Sequence, residues 1–350
     1  MTSDALLVTV ADYPSSNGAL RPLPGSAKDG LRVTNWLNLH APGINVMPLS
    51  WPPPGGAGAA GGAGGVATLN REAVESTLKT LLAQTAPAMR DRLFVYFSGH
   101  GRMNVALPAM PAVYCAQHRR SLPDLFFSFN WIPLLTLSPA YREYLFFFDC
   151  CNDFQTDPLP TAIIPEIDPR TDRPSVLVVT AAQPGEQALE SKDGGLFTDV
   201  LLEALSGSAG SPDSNVVTAA DLVNYLKEFV PERARKQKPG HEQRPKVWFD
   251  SDQHAELESY ELFKRDKVEG VDVSGLLNGH APADVDVLDT DLKSVAALTD
   301  GAGGARLEGV FPGRYILRGR NDDWTQTIQI TTPVEVDGTV KYKAAPIEVA

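Results

Sequence analysis

The sequence predicts an α/β protein: a six-stranded, mostly parallel sheet with helices on both faces, followed by a small all-β domain. Three observations carry that prediction. Continuous apolar runs alternate with stretches of helical periodicity, the pattern of strands covered on both sides. The 350 residues suit one large domain plus a small one, and 43% apolar residues suffice for a sizeable core. Past about residue 268 the texture switches to short alternating runs between Gly, Asp and Pro turns.

In chain order, "ALLVTVA" (5–11) is the first strand, and "SAKDGLRVTNWLNLH" (26–40) sets Val33, Trp36, Leu37 and His40 at helical spacing. "GINVMPLSW" (43–51) is a second strand, and "PPPGGAGAAGGAGG" (52–65) is an exposed loop by composition. A helix from about Asn70 aligns Val74, Leu78, Leu81 and Leu82. "RLFVYFS" (92–98), "EYLFFFDC" (143–150) and "SVLVVTA" (175–181) are strands three to five. "GLFTDVLLEALSG" (195–207) is a helix through Leu196, Val200, Leu201, Ala204 and Leu205. Thr218, with Asp221 three residues on, opens another helix as a capping box, and "KVWFD" (246–250) is the sixth strand. "ADVDVLD", "ARLEGVF", "GRYILRG", "TQTIQITT" and "VKYKAAPIEV" then read as a small sandwich. The expected division is residues 1–255 for the α/β domain, 256–270 for a linker and 271–350 for the β domain.

Charge and cysteine usage narrow the class. A net charge of −12 offers no basic field for nucleic acid or an anionic membrane surface. The one basic run, Arg233 to Lys238, reads as a solvated helix end. No apolar stretch approaches spanning length, and the opening "MTSDALLVTVADY" has no basic n-region. Three cysteines, two of them adjacent, make a poor disulfide framework, so a reduced, cytoplasmic protein is expected.

Ligands of parallel sheets bind beyond the carboxyl ends of the strands. There the third strand delivers Ser98-Gly99-His100-Gly101, and the fourth delivers Asp149-Cys150-Cys151. A thiol attacks as thiolate, and a nearby imidazole both stabilises that form and protonates a leaving amine. The separation of 51 positions from His100 to Cys151 allows one intervening segment before adjacent strands bring both to the same edge. The glycines are expected to make room for a substrate backbone, and Gly101 to let N–H groups approach an oxyanion. Either residue alone is more often an ordinary turn histidine or core cysteine; the pairing argues for chemistry. Strand alternation turns Cys150 and Cys151 opposite ways, one for packing and one for catalysis.

"YFSGHG" and "FFFDCCND" resemble the two catalytic blocks of the caspase and metacaspase superfamily of clan CD cysteine peptidases. "ALLVTVADY…LPGSAKDGLRVTNWL" and "VLVVTAAQPGEQALES…GGLFTDVLLEAL" extend that resemblance over most of residues 4–250. It implies a caspase-like sheet, protein substrates and no cofactor. It selects Cys151 as nucleophile, His100 as base and acid, and the Gly101 and Cys151 amides as the oxyanion hole. It also implies that Ser26, Asp29, Ser98 and Asp149 line the pocket for the substrate residue before the cut. Two carboxylates there favour a guanidinium, hence cleavage after Arg and less well after Lys. In place of the family's usual continuation, Asn152-Asp153-Phe154 follows Cys151. Separately, "LEGVFPGRYILRG" (307–319) resembles carboxypeptidase-regulatory-like and transthyretin-like β domains.

Regulation follows from the same likeness. "DFQTDPLPTAIIPEIDPRTDRPS" occupies the place of the family's self-processing linker, so Arg170 and Arg173 are expected processing sites, cut by the enzyme itself or an activating protease. "QHRRS" (117–121) is a second, weaker processing candidate. Asp124, Asp153 and Asp157 leave calcium dependence open without predicting it, and no Cys/His set has zinc spacing. The expected function is an arginine-specific cysteine endopeptidase held as a zymogen, in a family that includes agents of cell death and antiphage defence. The alternative is a catalytically silent caspase-fold scaffold.

Overall fold

The computed structural model describes residues 3–41, 43–53, 69–83, 90–103, 111–119, 124–137, 140–151, 153–154, 173–211, 214–251, 256–265, 267–268, 270–289, 292–301, 304–336 and 339–346. The chain divides into two compact units, residues 1–200 with 227–255, and residues 201–226 with 256–350.

The first unit opens with β1 (Asp4–Val10), α1 (Pro24–His40), β2 (Asn45–Trp51), α2 (Arg71–Ala83) and β3 (Arg90–Ser98). Short strands β4 (Gly101–Met103), β5 (Ala112–Tyr114) and β6 (Leu125–Phe127) precede α3 (Ser128–Leu137) and β7 (Tyr141–Asp149). After β8 (Asp153–Phe154) and β9 (Ser175–Thr180) come the hairpin β10 (Glu190–Ser191) and β11 (Gly194–Gly195), then α4 (Leu196–Glu203). β12 (Val216–Thr218) leads into α5 (Ala219–Gln237), which is followed by β13 (Lys246–Asp250).

The central sheet has the order β13-β9-β7-β3-β1-β2. Its strands run parallel except β13, which closes the edge antiparallel to β9. β1 is buried along its whole length and β3 and β7 over their last six residues, which is why they read as unbroken apolar runs. One face packs Leu6, Val8, Val95 and Phe146 against Val74, Leu78 and Leu81 of α2 and Ile132 and Leu135 of α3. The other face meets α1, where the Trp36 ring lies 6.5 Å from that of Phe94. The six-stranded, mostly parallel sheet is therefore as predicted. A four-stranded sheet, β6-β5-β4-β8, was not anticipated. Its strands are two or three residues long, too short to show a period.

In the second unit β12 pairs with β14 (Glu261–Lys264), so residues 256–270, expected as a linker, hold a strand. Thr218 and Asp221 form the expected capping box: the Asp221 N–H donates to Thr218 Oγ1 at 3.1 Å and the Thr218 N–H to Asp221 Oδ2 at 2.9 Å. The remaining strands are β15 (Val271–Asp272), β16 (Val285–Leu288), β17 (Ser294–Ala296), β18 (Leu298–Gly301), β19 (Gly304–Leu307), β20 (Gly313–Gly319), β21 (Thr325–Val336) and β22 (Thr339–Pro346). They form a sheet β17-β16-β20-β21-β22 and a sheet β15-β19-β18. Val287, Tyr315, Leu317 and Ile328 of the first share a core with Val271, Ala305 and Leu307 of the second, which makes the small sandwich. Among the described residues no helix is long and apolar enough to cross a membrane.

One buried charge fixes the start of the central sheet. Asp4, 1% exposed, is paired with Arg90 and accepts from Tyr141 Oη at 2.7 Å and Asn45 Nδ2 at 2.9 Å. Those four residues open β1, β3, β7 and β2. Asp4→Ala removes the carboxylate that faces the Arg90 guanidinium, and urea unfolding should show a loss of about 3 kcal/mol; a loss below about 1 kcal/mol would mean the staple contributes little.

Candidate active site

The site is set by two parallel strands. β3 and β7 pair with Ser98 beside Asp149, and His100 and Cys151 each follow two residues later. Imidazole and thiol thus leave the sheet at the same edge. Both line one pocket, which also takes in Ser26, Asp29, Ser98 and Asp149. The structure therefore gathers every residue expected to bind substrate. It adds Arg21, Leu23, Ala188, Glu190 and Gly195, which the sequence did not single out.

The His100 Nε2 lies 2.9 Å from the Arg21 carbonyl, which can only accept, so Nε2 carries a hydrogen. The Cys151 thiol donates to the Ala188 carbonyl at 3.8 Å. Of the three free cysteines, Cys115 and Cys150 are buried and Cys151 is partly exposed. Burial pushes the Cys115 and Cys150 thiols well above the usual range.

A Cβ at Gly101 would lie 2.5 Å from Cys150 Sγ, and one at Gly99 would lie 2.8 Å from Tyr13 Oη, so both glycines make room for the protein's own side chains. The Tyr114 N–H donates to the His100 carbonyl at 2.9 Å while Gly101 faces Val113. That makes Gly101 and Val113 a non-hydrogen-bonded pair, with the Gly101 N–H directed away from β5.

Two carboxylates stand at the pocket floor. Asp149 Oδ2 accepts from Thr198 Oγ1 at 2.6 Å and from the Thr198 N–H, in the first turn of α4, at 3.2 Å. Since Thr198 spends its proton on Asp149, Tyr96 Oη donates to Thr198 Oγ1, 2.5 Å away. Asp149 Oδ1 takes no bond from the described residues. Asp29 accepts from the Gly195 N–H at 2.9 Å and from Ser98 Oγ at 3.3 Å, with Arg32 Nη1 3.4 Å behind it. Side chains at Gly194 or Gly195 would collide with these carboxylates, and Gly194 has φ +141. Burial is the leading cause that pushes Asp29 up to about 8, helped by Asp149, and Asp149 up to about 7, where the Thr198 bonds pull back.

Asp29 is the sixth residue of α1, beyond the first turn, so it does not serve the helix start. That task falls to Glu190, whose Oε1 accepts from the Ser26 N–H at 3.1 Å. Burial raises the Glu190 carboxyl, and hydrogen bonds from the Ser26 and Gly25 amides and the charge of Arg21 hold it back. Nothing local marks Glu190. The Gly194-Gly195 pair immediately before α4 was a visible turn signal.

Of the expected processing sites, Arg173 is exposed, and Arg170 lies outside the described residues, as does Asp157. Among the described residues no group of three or more His, Cys, Asp or Glu is placed to hold a metal.

A family profile described as the caspase domain matches residues 3–249. No curated protein matches the chain. Among solved structures it is similar to caspase-1 from Spodoptera frugiperda, with 15% identity, TM-score 0.44, and 71% of this chain and 88% of that one covered. It is also similar to a Geobacter sulfurreducens protein, with 13% identity, TM-score 0.48, and coverage of 75% and 98%.

The burial contrast among the thiols is directly testable. Iodoacetamide on the native protein should label Cys151 and spare Cys115 and Cys150, as peptide mass mapping would show. Equal labelling of Cys150 would reverse the assignment of which thiol faces the pocket.

Proposed function

The chain belongs to the caspase-domain family, and from that membership we propose that it is a cysteine endopeptidase cutting after arginine, and less well after lysine. The observation that carries the proposal is the shared pocket: His100 and Cys151 at its rim, and Asp29 and Asp149 at its floor.

In this mechanism His100 Nδ1 takes the Cys151 proton while Nε2 stays bonded to the Arg21 carbonyl. The thiolate attacks the scissile carbonyl carbon, and the Gly101 and Cys151 N–H groups receive the oxyanion. The imidazolium returns its proton to the leaving amine, giving an acyl-enzyme. Water, deprotonated by His100, then releases the acid and restores the thiol. No cofactor enters.

The floor explains the preference. An empty pocket holds two carboxyls that are reluctant to ionise. A guanidinium offers planar paired donors and a permanent charge, and its arrival favours both carboxylates. Lysine brings one compact charge and cannot bridge them in the same plane. Holding the chain as a zymogen until the loop after Cys151 is cut, at Arg170 or Arg173, completes the proposal; Arg173 is exposed as such a site requires.

Fluorogenic peptides ending in Arg, Lys or Asp test it, with and without calcium and limited proteolysis. Arg should lead, Cys151→Ala should abolish turnover, and Cys150→Ala should retain much of it. No turnover under any condition would favour the silent scaffold. Asp149→Asn should lower kcat/KM for Arg substrates by about 10²-fold, the scale of a lost charge-assisted pair; an unchanged Arg, Lys and Asp ranking would reject the acidic pocket.

The pH dependence has a definite sign. Both floor carboxyls have folded values raised above the ordinary 3.8, so the empty pocket keeps protons that a guanidinium must displace. A reversible guanidinium inhibitor such as benzamidine should bind about tenfold more tightly as pH rises from 6 to 8.5. Calorimetry showing no such gain would place the carboxylates already ionised at pH 6.

A further inference from the structure

We propose that Tyr13 is a positioning residue for His100, holding the main chain from which the imidazole hangs. The inference rests on the peptidase reading and adds to it a residue far from the two catalytic blocks.

Tyr13 lies in the loop between β1 and α1. Its Oη accepts the His100 N–H at 2.7 Å, across 87 residues of sequence. Its ring faces the imidazole, with centroids 5.0 Å apart and planes at 50°. Gly99 turns the chain out of β3 with φ +156, and its missing side chain leaves the space that the Tyr13 hydroxyl fills. The glycine before the histidine is therefore explained by Tyr13.

The loop that carries Tyr13 is itself anchored. The Ala11 N–H donates to the Trp51 carbonyl at 2.7 Å, and the Leu23 N–H to the Ala11 carbonyl at 2.8 Å. Tyr13 is 3% exposed, its N–H bound to Asp12 Oδ1 at 2.8 Å and its carbonyl to the Ser16 N–H at 3.0 Å. The same loop supplies the Arg21 carbonyl that fixes Nε2. Backbone and ring tip of His100 are thus held from one segment, at opposite ends of the residue. An ordinary core tyrosine would contribute packing only. This one terminates a main-chain donor that β3 no longer pairs, and a small displacement of a base can cost about 10²-fold in rate.

Tyr13→Phe keeps the ring and removes the acceptor. With turnover expressed per titrated active site, kcat should fall roughly 10- to 100-fold while KM stays within about twofold. Alkylation of Cys151 at pH 6.5, where a thiol paired with imidazole reacts fastest relative to a simple thiol, should slow by about tenfold. The thermal unfolding midpoint should fall by only a few degrees, since the ring and its packing remain while one main-chain N–H loses its acceptor. Gly99→Ala, whose methyl would press on the same hydroxyl, should give the same signature and decides the matter if Tyr13→Phe folds poorly. Wild-type kcat and alkylation in either folded variant, or a raised KM at constant kcat, would overturn the inference. A wild-type protein that alkylates fast at pH 6.5 yet cleaves no peptide would sink the peptidase reading alone, because the alkylation comparison still reads the hold on His100.

Discussion

The structure depends on the register between β3 and β7. Both strands are buried over their last six residues, so a shift of one residue would exchange the side chains packed on the two faces of the sheet and break the fit against the helices on each side. That penalty locks Ser98 against Asp149, and the lock is what delivers His100 and Cys151 together. The chemistry therefore inherits its geometry from hydrophobic burial. The Asp4 cluster reinforces the same register from the far end of the strands.

The second constraint is electrostatic. Two carboxyls sit in a floor closed by Gly194 and Gly195, where burial raises both and the charge of Asp149 further opposes the ionisation of Asp29. They are tolerated because each has donors: the Gly195 amide and Ser98 for Asp29, and Thr198, backed by Tyr96, for Asp149. In the proposed function these donors leave Asp149 Oδ1 to meet a guanidinium, and two carboxyls reluctant to ionise would be better suited to such a cation than to an empty floor.

Much of the site was legible in sequence because strand ends carry their own signature. An apolar run followed at once by Ser98-Gly99-His100-Gly101 or Asp149-Cys150-Cys151 marks where a parallel sheet presents side chains to a ligand. The choice of Cys151 over Cys150 came from the family likeness, and the burial of Cys150 behind Gly101 agrees with it. Glu190, Thr198 and Tyr13 were not legible. Each acts through a hydrogen bond to a residue dozens of positions away, and no periodicity records such a bond. The short strands β4, β5, β6 and β8 escaped for a related reason, since two or three residues cannot display an alternation.

By itself the sequence determined the number and type of the long elements, the sheet's parallel character and the residues at its business edge. Those follow from hydrophobic periodicity, which is a local property of the chain. Only the tertiary structure decided what the glycines beside His100 accommodate, which carbonyl its Nε2 meets, and how two buried carboxyls share a floor. Those outcomes turn on distances between segments brought together by folding, where an ångström separates a hydrogen bond from a clash.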